Sequence, residues 1–535
     1  MWFTLSIFFG IVVVVGILVW YVAVLIKKHI VPIIWSMTKS IVRGLRDNEY
    51  VVNIIKQFPK IAATLEKRLD RRDFFGLPLT LLGVAAAYVF VLFIGAAEGL
   101  VNTEAIVSAD TRLNKIFILL RTPFATKIFL WITYVGNWRI AASLCIVTTI
   151  LFWVWRKRVY ALAFAVTAVG SAGADELVKL ALHRPRPLNP VYIESSFSFP
   201  SGHATIVVSL YGFLFYSWWR HTKRASRKVW IVCCAVALGI VVGLSRLYLG
   251  VHYLSDVWGG YLLGLVWLIF GISVVEWQRF RAKKQPRIAF TAKKRNRVRL
   301  LTLCLVIFEI GLFIGLAGRF KPETPGTVVS GQPPIVVDPV ELSAVFSLSR
   351  YSETLTGGAQ EPLSFMIIAP DDQTLTDVFV RAGWQRADAL SARTFLNALF
   401  AGYKNQPYIT APMTPSFWNG EVNAIGFEKQ TNQKSIRQRH HARIWKTNLV
   451  TKDGQFVYVG TASFDVGVKW GVTHQISPDI DTERDMLIHD IIETGSATVV
   501  SEAKFVAPVL GKNFTGDPFF TDGRVYIVLF TRIRQ

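Results

Sequence analysis

The sequence predicts an all-α multispan membrane protein that carries a soluble α/β or α+β domain at its C-terminus. Hydrophobic residues make up 52% of the 535-residue chain and charged residues only 18%, a composition too apolar for a soluble protein of this length. Apolar runs of about 20 residues, the length that crosses a bilayer, recur through the first part of the chain. Beyond residue 320 the composition becomes that of an ordinary soluble domain.

Eight apolar runs are candidates for membrane-spanning helices. They cover residues 3–26, 77–97, 128–155, 159–182, 204–219, 229–245, 256–275 and 300–318. The first run has no basic segment before it and no small-residue cleavage site after it, and it ends on Lys27 and Lys28. We therefore interpret residues 1–28 as a retained transmembrane anchor and not as a signal peptide.

The basic residues predict how the spans are oriented. The net charge of +23 is concentrated in four segments, 29–75, 156–158, 220–228 and 279–299. Short basic segments between apolar runs are typical of cytoplasmic loops, so we expect no nucleic-acid partner. Within residues 29–75 the apolar residues recur at helical spacing, which predicts a basic amphipathic segment on the inner membrane face.

Alternating spans place all four basic segments on the inner side and several other segments on the outer side. The outer segments are the N-terminus, residues 98–127, 183–203 and 246–255, and everything after about 320. The chain is then predicted to continue through a basic loop and last transmembrane helix (279–320), a Pro/Gly linker (321–340) and an extracytoplasmic domain (341–535). In that domain we expect strands at 457–470 and 525–533 and a helix at 375–384.

Two motifs of the C-terminal domain invite comparison with metal sites. They are RHHARIW at 439–445, together with His474, and DIDTERDMLIHD at 479–490. Neither has a recognised ligand spacing, and exposed charged runs are usually solvated surfaces. We therefore predict no metal and no cofactor, and leave a second site in this domain as an open alternative.

Three polar stretches interrupt the apolar pattern where predicted spans meet the outer face. They are KLALHRPRP (179–187), FPSGHAT (199–205) and SRLYLGVHYLSDVWGG (245–260). Isolated charges are expensive in lipid, so their position at helix ends near water indicates a shared function. We expect the three stretches to lie side by side.

These stretches contain the groups that phosphoryl transfer needs. Lys179, Arg186 and Arg246 would donate to the phosphoryl oxygens, on which the transition-state charge accumulates. The sequence Pro200-Ser201-Gly202-His203 is typical of a helix N-terminus, where Ser201 would cap the helix and Gly202 would let the backbone approach an anion.

Two histidines could perform the chemistry. His252 and Asp256 are four residues apart, so on a helix they share one face, and the carboxylate could orient the imidazole as a nucleophile. His203 would protonate the leaving oxygen. Asp175 lies four residues before Lys179 and would orient that lysine or partly neutralise it.

The ordered patterns K-x6-R-P, P-S-G-H and S-R-x5-H-x3-D resemble the three-part signature of type 2 phosphatidic acid phosphatases, of the lipid phosphatase and vanadium haloperoxidase superfamily. The resemblance implies a six-helix membrane core at residues 76–278 and a phosphohistidine at His252, with His203 as the acid and Asp256 as the orienting group. It also implies a phosphate pocket with supporting residues. The pocket would comprise Lys179, Arg186, Ser201, Gly202 and Arg246, supported by Asp175, Pro200 and Ser245. Arg184 is an alternative to Arg186, although the motif spacing favours Arg186.

The resemblance predicts an integral membrane lipid phosphatase in the bacterial inner membrane, with the active site and the C-terminal domain facing the periplasm. The expected substrate is a membrane lipid phosphate or diphosphate of the undecaprenyl diphosphate, phosphatidate, phosphatidylglycerol phosphate or lipid A type. The C-terminal domain resembles the LssY type. Two alternatives stay open: a lipid phosphotransferase with the same site, and an envelope or secretion component with a vestigial core whose C-terminal domain binds a partner.

Overall fold

The computed structural model describes residues 16–22, 24–70, 73–282, 291–320, 333–339, 342, 349–432, 435–469, 473–513 and 515–532. Most of the predicted anchor (1–28) and of the predicted linker (321–340) lies outside these residues. The chain divides into two compact units, one formed by residues 1–103 and 121–325 and the other by residues 104–120 and 326–535.

The basic segment predicted as amphipathic forms three helices. They are α1 (Val31–Asp47), α2 (Glu49–Gln57) and α3 (Pro59–Leu69), preceded by a π-helical turn at Ile26–Ile30. The first break occurs at Asn48, whose side chain accepts hydrogen bonds from the first backbone amides of α2. The second break comes at Pro59, which can begin a helix but cannot continue one.

The remaining helices before residue 320 follow in sequence. They are α4 (Leu77–Asn102), α5 (Glu104–Leu119), α6 (Pro123–Tyr134), α7 (Trp138–Val154), α8 (Arg158–Leu182), α9 (Gly202–Ile206), α10 (Gly212–His221), α11 (Ala225–Tyr248), α12 (Leu254–Ala282) and α13 (Ala292–Arg319). Among the described residues, six stretches are long and apolar enough to cross a bilayer: α4, α6 with α7, α8, α11, α12 and α13. The protein is thus a multi-pass membrane protein, as predicted.

Two predicted spans differ from simple helices. The run at 128–155 is broken between α6 and α7, because Asn137 caps α7 by accepting a hydrogen bond from the amide of Arg139. The run at 204–219 forms α9 and α10, which are joined by a π-helical turn at Val207–Tyr211. Helix α12 packs against both α4 and α8, and it places its N-terminus beside the start of α9.

The second unit is built on a nine-stranded mixed sheet and two smaller sheets. Its strands are β1 (Ile335–Val337), β2 (Tyr351–Glu353), β3 (Ala359–Pro362), β4 (Phe365–Ala369), β5 (Gln385–Arg386), β6 (Phe417–Trp418), β7 (Glu421–Val422), β8 (Ile425–Gln430), β9 (Arg439–Thr451), β10 (Phe456–Lys469), β11 (Thr473–Ile476), β12 (Ala497–Lys504), β13 (Val509–Lys512), β14 (Pro518–Thr521) and β15 (Arg524–Phe530). The large sheet has the order β12-β15-β4-β10-β9-β8-β5, with β1 beside β9 and β11 beside β10. Its helices are α14 (Asp372–Arg381), α15 (Ala392–Lys404) and α16 (Ile480–Glu493).

This unit confirms the predicted α/β or α+β domain, including both expected strands and the expected helix. An apolar core of Phe365, Phe379, Trp384 and their neighbours fills one face of the large sheet. Helix α5 was predicted as part of an outer loop within residues 98–127, but it is helical and groups with this unit. Within this unit, Nζ of Lys115 donates to the carboxylate of Glu421 at 2.6 Å.

Candidate active site

Helix ends bring the three polar stretches together. Helix α8 ends where His183 adopts a left-handed backbone conformation (φ 48°), and α9 begins at Gly202. Helix α11 ends at Tyr248 and α12 begins at Leu254, with Gly250 at a φ of 67° in the turn between them. Glycine adopts this conformation without the steric cost that a Cβ atom imposes. Residues from all three stretches line one cavity of about 530 Å³.

Six of the eleven predicted site residues line this cavity, and the other five are buried behind its wall. The lining residues are Asp175, Lys179, Arg186, Gly202, His203 and His252. The buried residues are Pro200, Ser201, Ser245, Arg246 and Asp256. The structure thus brings the predicted residues to one place, while their catalytic and binding roles stay predictions.

His252 lies between the cavity and a buried carboxylate. Its Nδ1 is 3.4 Å from Oδ2 of Asp256, and its Nε2 is 3.2 Å from Nη1 of Arg186. Burial and then the charge of Arg186 lower the pKa of His252 to about 4. The imidazole is therefore neutral near pH 7, which is the state that a nitrogen nucleophile requires.

Asp256 is fully buried and is surrounded by hydrogen-bond donors. The backbone amide of Tyr253 donates to its Oδ2 at 2.8 Å, and the hydroxyl of Ser198 donates to the same oxygen. Nη1 of Arg184 donates to its Oδ1 at 2.5 Å. These donors fix the carboxylate that faces His252. Arg184, the alternative phosphate ligand, is therefore a partner of Asp256.

Arg186 is the arginine of this stretch that lines the cavity. Its guanidinium donates to the carbonyl oxygens of Ser196 and Val251 at 2.6 and 2.7 Å. These backbone contacts orient the guanidinium toward His252 and leave it within 2.8 Å of the carboxylate of Glu194. Arg186 therefore lies where it could contact a phosphate in the cavity, and its role as the phosphate ligand stays a prediction.

Lys179 is held by the carboxylate that the sequence placed one turn before it. Its Nζ lies 2.6 Å from Oδ2 of Asp175, whose Oδ1 accepts a hydrogen bond from the hydroxyl of Thr205 at 3.2 Å. A Cβ atom on Gly202 would lie 3.1 Å from the same Asp175 oxygen and 3.4 Å from the Lys179 ammonium. The absence of a side chain at Gly202 therefore lets the start of α9 approach this pair closely.

Arg246 is fully buried and contacts a residue that the sequence reasoning missed. Its Nη1 donates to the hydroxyls of Thr133 and Tyr192 at 2.5 Å each, and its Nη2 donates to Oε1 of Glu194. The same carboxylate reaches Arg186, so Glu194 bridges both arginines of the predicted phosphate pocket. Its Oε2 is 4.0 Å from Nε2 of His252.

The Glu194 carboxylate thus lies where an anion would meet these cations. Burial by itself would raise the pKa of this carboxyl, but the charges of Arg246 and Arg186 help to hold it well below its usual range. Glu194 is the only acidic residue between His183 and Ser201, in a segment that contains two arginines. A single acidic residue in a basic segment was the sequence signal that could have pointed to Glu194. The spacing of the motifs gave no reason to place its carboxylate in the pocket.

Other predicted residues support the pocket in ways that the motifs did not specify. Ser201 stands at the N-terminus of α9 but makes no capping hydrogen bond, and its buried hydroxyl has no hydrogen-bond partner in the described part of the chain. Ser245 donates to the carbonyl of Val242 within α11, at 2.5 Å, and so acts inside its own helix. His203 packs against Gly136, where an added Cβ atom would lie 2.9 Å from the histidine Cβ.

Taken together, the fold and the cavity define a membrane protein with a cavity at helix ends that is lined by a neutral imidazole and by cations. The comparisons with known proteins specify this class. The family model of the PAP2 superfamily matches residues 159–280, and that of the LssY C-terminus matches residues 346–525. The chain belongs to the PAP2 superfamily, and its enzymatic class is that of phosphoric monoester or diphosphate hydrolases.

Two relatives and one solved structure are similar to parts of this chain. Phosphatidylglycerophosphatase B of Bacillus subtilis (strain 168) is 32% identical over 200 residues, which are 37% of this chain and 97% of the relative. The undecaprenyl-diphosphatase of Sulfolobus acidocaldarius is 30% identical over 131 residues, 23% of this chain and 59% of the relative. The crystal structure of a transmembrane PAP2 type phosphatidylglycerolphosphate phosphatase from Bacillus subtilis is 28% identical with a TM-score of 0.34, and the match covers 38% of this chain and 98% of that one. These relatives give no support to an envelope or secretion partner.

Proposed function

We propose that this protein hydrolyses a lipid phosphate or diphosphate at the outer face of the bacterial inner membrane, through a phosphohistidine at His252 and without a metal. The observation that carries the proposal is the position of His252, neutral and between a fixed carboxylate and a cavity lined by cations. The names of the relatives favour phosphatidylglycerol phosphate and undecaprenyl diphosphate as the first lipids to test.

The proposed orientation follows from charge. Basic segments precede α4 and connect α7 to α8, α10 to α11 and α12 to α13. The site segments, 183–201 and 249–253, connect the opposite ends of these helices. Because basic loops stay in the cytoplasm, the site would face the periplasm, and the substrate would come from the outer leaflet.

In the proposed reaction, Nε2 of His252 attacks the terminal phosphorus while the bond from that phosphorus to the leaving oxygen breaks. The leaving oxygen is the lipid oxygen of a phosphate or the bridging oxygen of a diphosphate. Burial and the charge of Arg246 hold the pKa of His203 well below its usual range, and the negative charge of a bound phosphate would raise that pKa again. The ring would then take up a proton with the substrate and give it to that leaving oxygen. Water, whose proton passes back to His203, then attacks the phosphohistidine and releases inorganic phosphate. Lys179, Arg186 and Arg246 would neutralise the charge on the phosphoryl oxygens in both steps. The carboxylate of Asp256 would keep the imidazole oriented and stabilise its positive charge.

The test is release of phosphate by the full-length protein in detergent from a panel of lipid phosphates and diphosphates. We expect one lipid to be strongly preferred, and its turnover to persist in EDTA. No release from any lipid unless an alcohol or sugar acceptor is added would contradict hydrolysis and indicate phosphotransfer. Loss of turnover in EDTA that magnesium restores would overturn the metal-free reaction.

Replacing Glu194 by glutamine should lower the inhibition constant of vanadate, a phosphate analogue, by about tenfold. The carboxylate competes with an incoming anion for Arg186 and Arg246, and a neutral amide competes less. The matched control is Glu176→Gln, which removes an exposed carboxylate 3.1 Å from Lys179 at the same cavity. We expect this control to leave vanadate inhibition nearly unchanged. Weaker vanadate binding by Glu194→Gln would contradict competition and show that Glu194 positions the arginines.

The acid limb of the kcat/KM profile should have its midpoint near pH 4, the pKa to which burial and Arg186 lower His252. The nucleophile works only as neutral imidazole, so activity should hold as the pH falls through 6.5 and be lost as it passes through the lowered pKa. The profile should be measured from pH 3.5 to 8, with each sample returned to pH 7 to exclude irreversible unfolding. A limb centred near pH 6.5 would contradict the shift.

A further inference from the structure

The second unit contains a polar patch in the middle of its large sheet. Along β9, Trp445 packs in an apolar cluster, but the next residues on the same face are Arg443, His441 and Arg439. Across the ladder on β10 these three residues pair with Thr461, Ser463 and Asp465, and Glu428 of β8 lies opposite His441. A buried sheet face is normally apolar, so this change of character within one strand requires an explanation.

The charged side chains form a connected chain. Oε1 of Glu428 is 2.5 Å from Nη1 of Arg439, whose Nε is 3.3 Å from Oδ2 of Asp465. Oδ1 of Asp465 is 3.3 Å from Nδ1 of His441, and Nη1 of Arg443 is 3.0 Å from Nε2 of the same histidine. Glu428, His441 and Asp465 are each no more than 3% exposed. Apolar residues of similar size would fold at lower desolvation cost, which indicates a purpose other than stability.

The patch forms one wall of a cavity of about 550 Å³. Arg439, His441, Arg443 and Asp465 line that wall. Hydroxyl-bearing residues from the segment after β2 and the segment before β6 line other parts of the cavity. They are Thr354, Thr356, Thr414 and Ser416. The cavity is large enough for a small polar ligand and offers both cations and hydroxyls to it.

The composition of the wall points to an anion as the ligand. Two arginines alternate with the histidine on this wall. Three carboxylates also line the cavity, and each has a partner of its own: Glu353 pairs with Arg112, Asp465 pairs with Arg439, and Glu361 accepts a hydrogen bond from Ser463. Arg443 has no carboxylate within ion-pair distance among the described residues, so its charge is available to an anion. Arg443 is the last member of the connected chain, and it joins the chain through Nε2 of His441. The buried Nε of Arg443 has no hydrogen-bond partner among the residues described. A guanidinium matches the oxygens of a phosphate in a forked contact, and the surrounding hydroxyls could serve the remaining oxygens.

We propose that this cavity binds a phosphate group, with Arg443 as its principal contact. The phosphate could be free in solution or carried by a lipid headgroup, because both present the same oxygens to the arginine. The RHHARIW motif at 439–445, which the sequence left without a function, supplies the three central side chains of the site. The proposal rests on the second unit alone and does not depend on the proposed phosphatase activity.

Hydrogen exchange of the full-length protein in detergent, read by mass spectrometry, tests the site locally. One arm adds inorganic phosphate and the other adds a short-chain phosphonate analogue of a lipid phosphate, which cannot be hydrolysed. We expect slower exchange in peptides that cover β9 and β2. In Arg443→Met the ligand concentration needed for this protection should rise about tenfold to one-hundredfold, while peptides around residues 192–206 respond as in the wild type.

Lys446→Met is the matched control, because it removes an exposed cation from the same strand outside the cavity, and it should keep the protection. Protection by the phosphonate alone assigns the site to a lipid headgroup, and protection by inorganic phosphate assigns it to free phosphate. Absence of protection in both arms overturns the proposal, as does equal protection by acetate. If Arg443→Met fails to fold, Arg443→Lys keeps the charge without the fork and should still weaken protection. Unchanged protection in that variant contradicts the forked contact.

Discussion

Replacing His252 by alanine should lower phosphate release from the preferred lipid by at least about 10⁴-fold, because it removes the group that forms the covalent intermediate. The remaining cations would still bind the lipid headgroup, so the loss should appear in kcat more than in KM. With a ³²P-labelled lipid phosphate, the wild type should form an acid-labile, base-stable phosphoprotein. His252→Ala should form none.

His183→Asn is the matched control for this substitution. His183 also lies at a helix end, where its ring contacts Phe197, but it does not line the cavity. Asparagine tolerates the left-handed backbone conformation at this position, so the fold should persist. We expect the control to keep turnover within a few-fold of the wild type. Retained turnover or phosphoprotein in purified His252→Ala would refute the assignment of the nucleophile.

Much of the fold was predictable because membrane helices are long and apolar. Length and hydropathy identified the stretches that became α4, α8, α11, α12 and α13, and a change of composition located the second unit. The break between α6 and α7 was not predicted, because it arises from the cap at Asn137, within an apolar run. Nor was the grouping of α5 with the second unit. That grouping brings together residues about 300 positions apart, such as Lys115 and Glu421, and the sequence pattern does not reveal contacts over such a separation.

The candidate site shows the same division between local and long-range information. The motifs placed Lys179 near Asp175, which lies one helical turn before it in α8. They also placed His252 near Asp256, although His252 lies in the turn just before α12 and not on the helix that the spacing suggested. They could not place Glu194 between two arginines, since the course of the segment from 183 to 201 decides where that carboxylate lies. The role of Arg184 beside Asp256 was hidden for the same reason.

Replacing Asp256 by asparagine should reduce the rate by about 10² to 10⁴, the range expected when an orienting carboxylate loses its charge. Asparagine keeps the shape but offers only one acceptor oxygen. Its amide group would therefore face a donor, either Arg184 or the pair formed by Ser198 and the Tyr253 amide. The substitution would therefore have two effects. It would remove the negative charge that stabilises a protonated His252 imidazole, and it would weaken the contact that orients this imidazole.

The effect of Asp256→Asn on the reaction rate must be separated from its effect on the stability of the fold, because the Asp256 carboxylate also accepts several hydrogen bonds. If the carboxylate acts through His252, its loss should move the acid limb of kcat/KM to lower pH, since the charge of Asp256 favours the protonated imidazole. Ser198→Ala is the matched control, because it removes one hydrogen bond to Asp256 and leaves the charge in place. We expect it to cost less than about tenfold in rate and to leave the limb where it is. A folded Asp256→Asn protein with a nearly normal rate would show that the carboxylate supports structure alone, and the orienting role would then have to be abandoned.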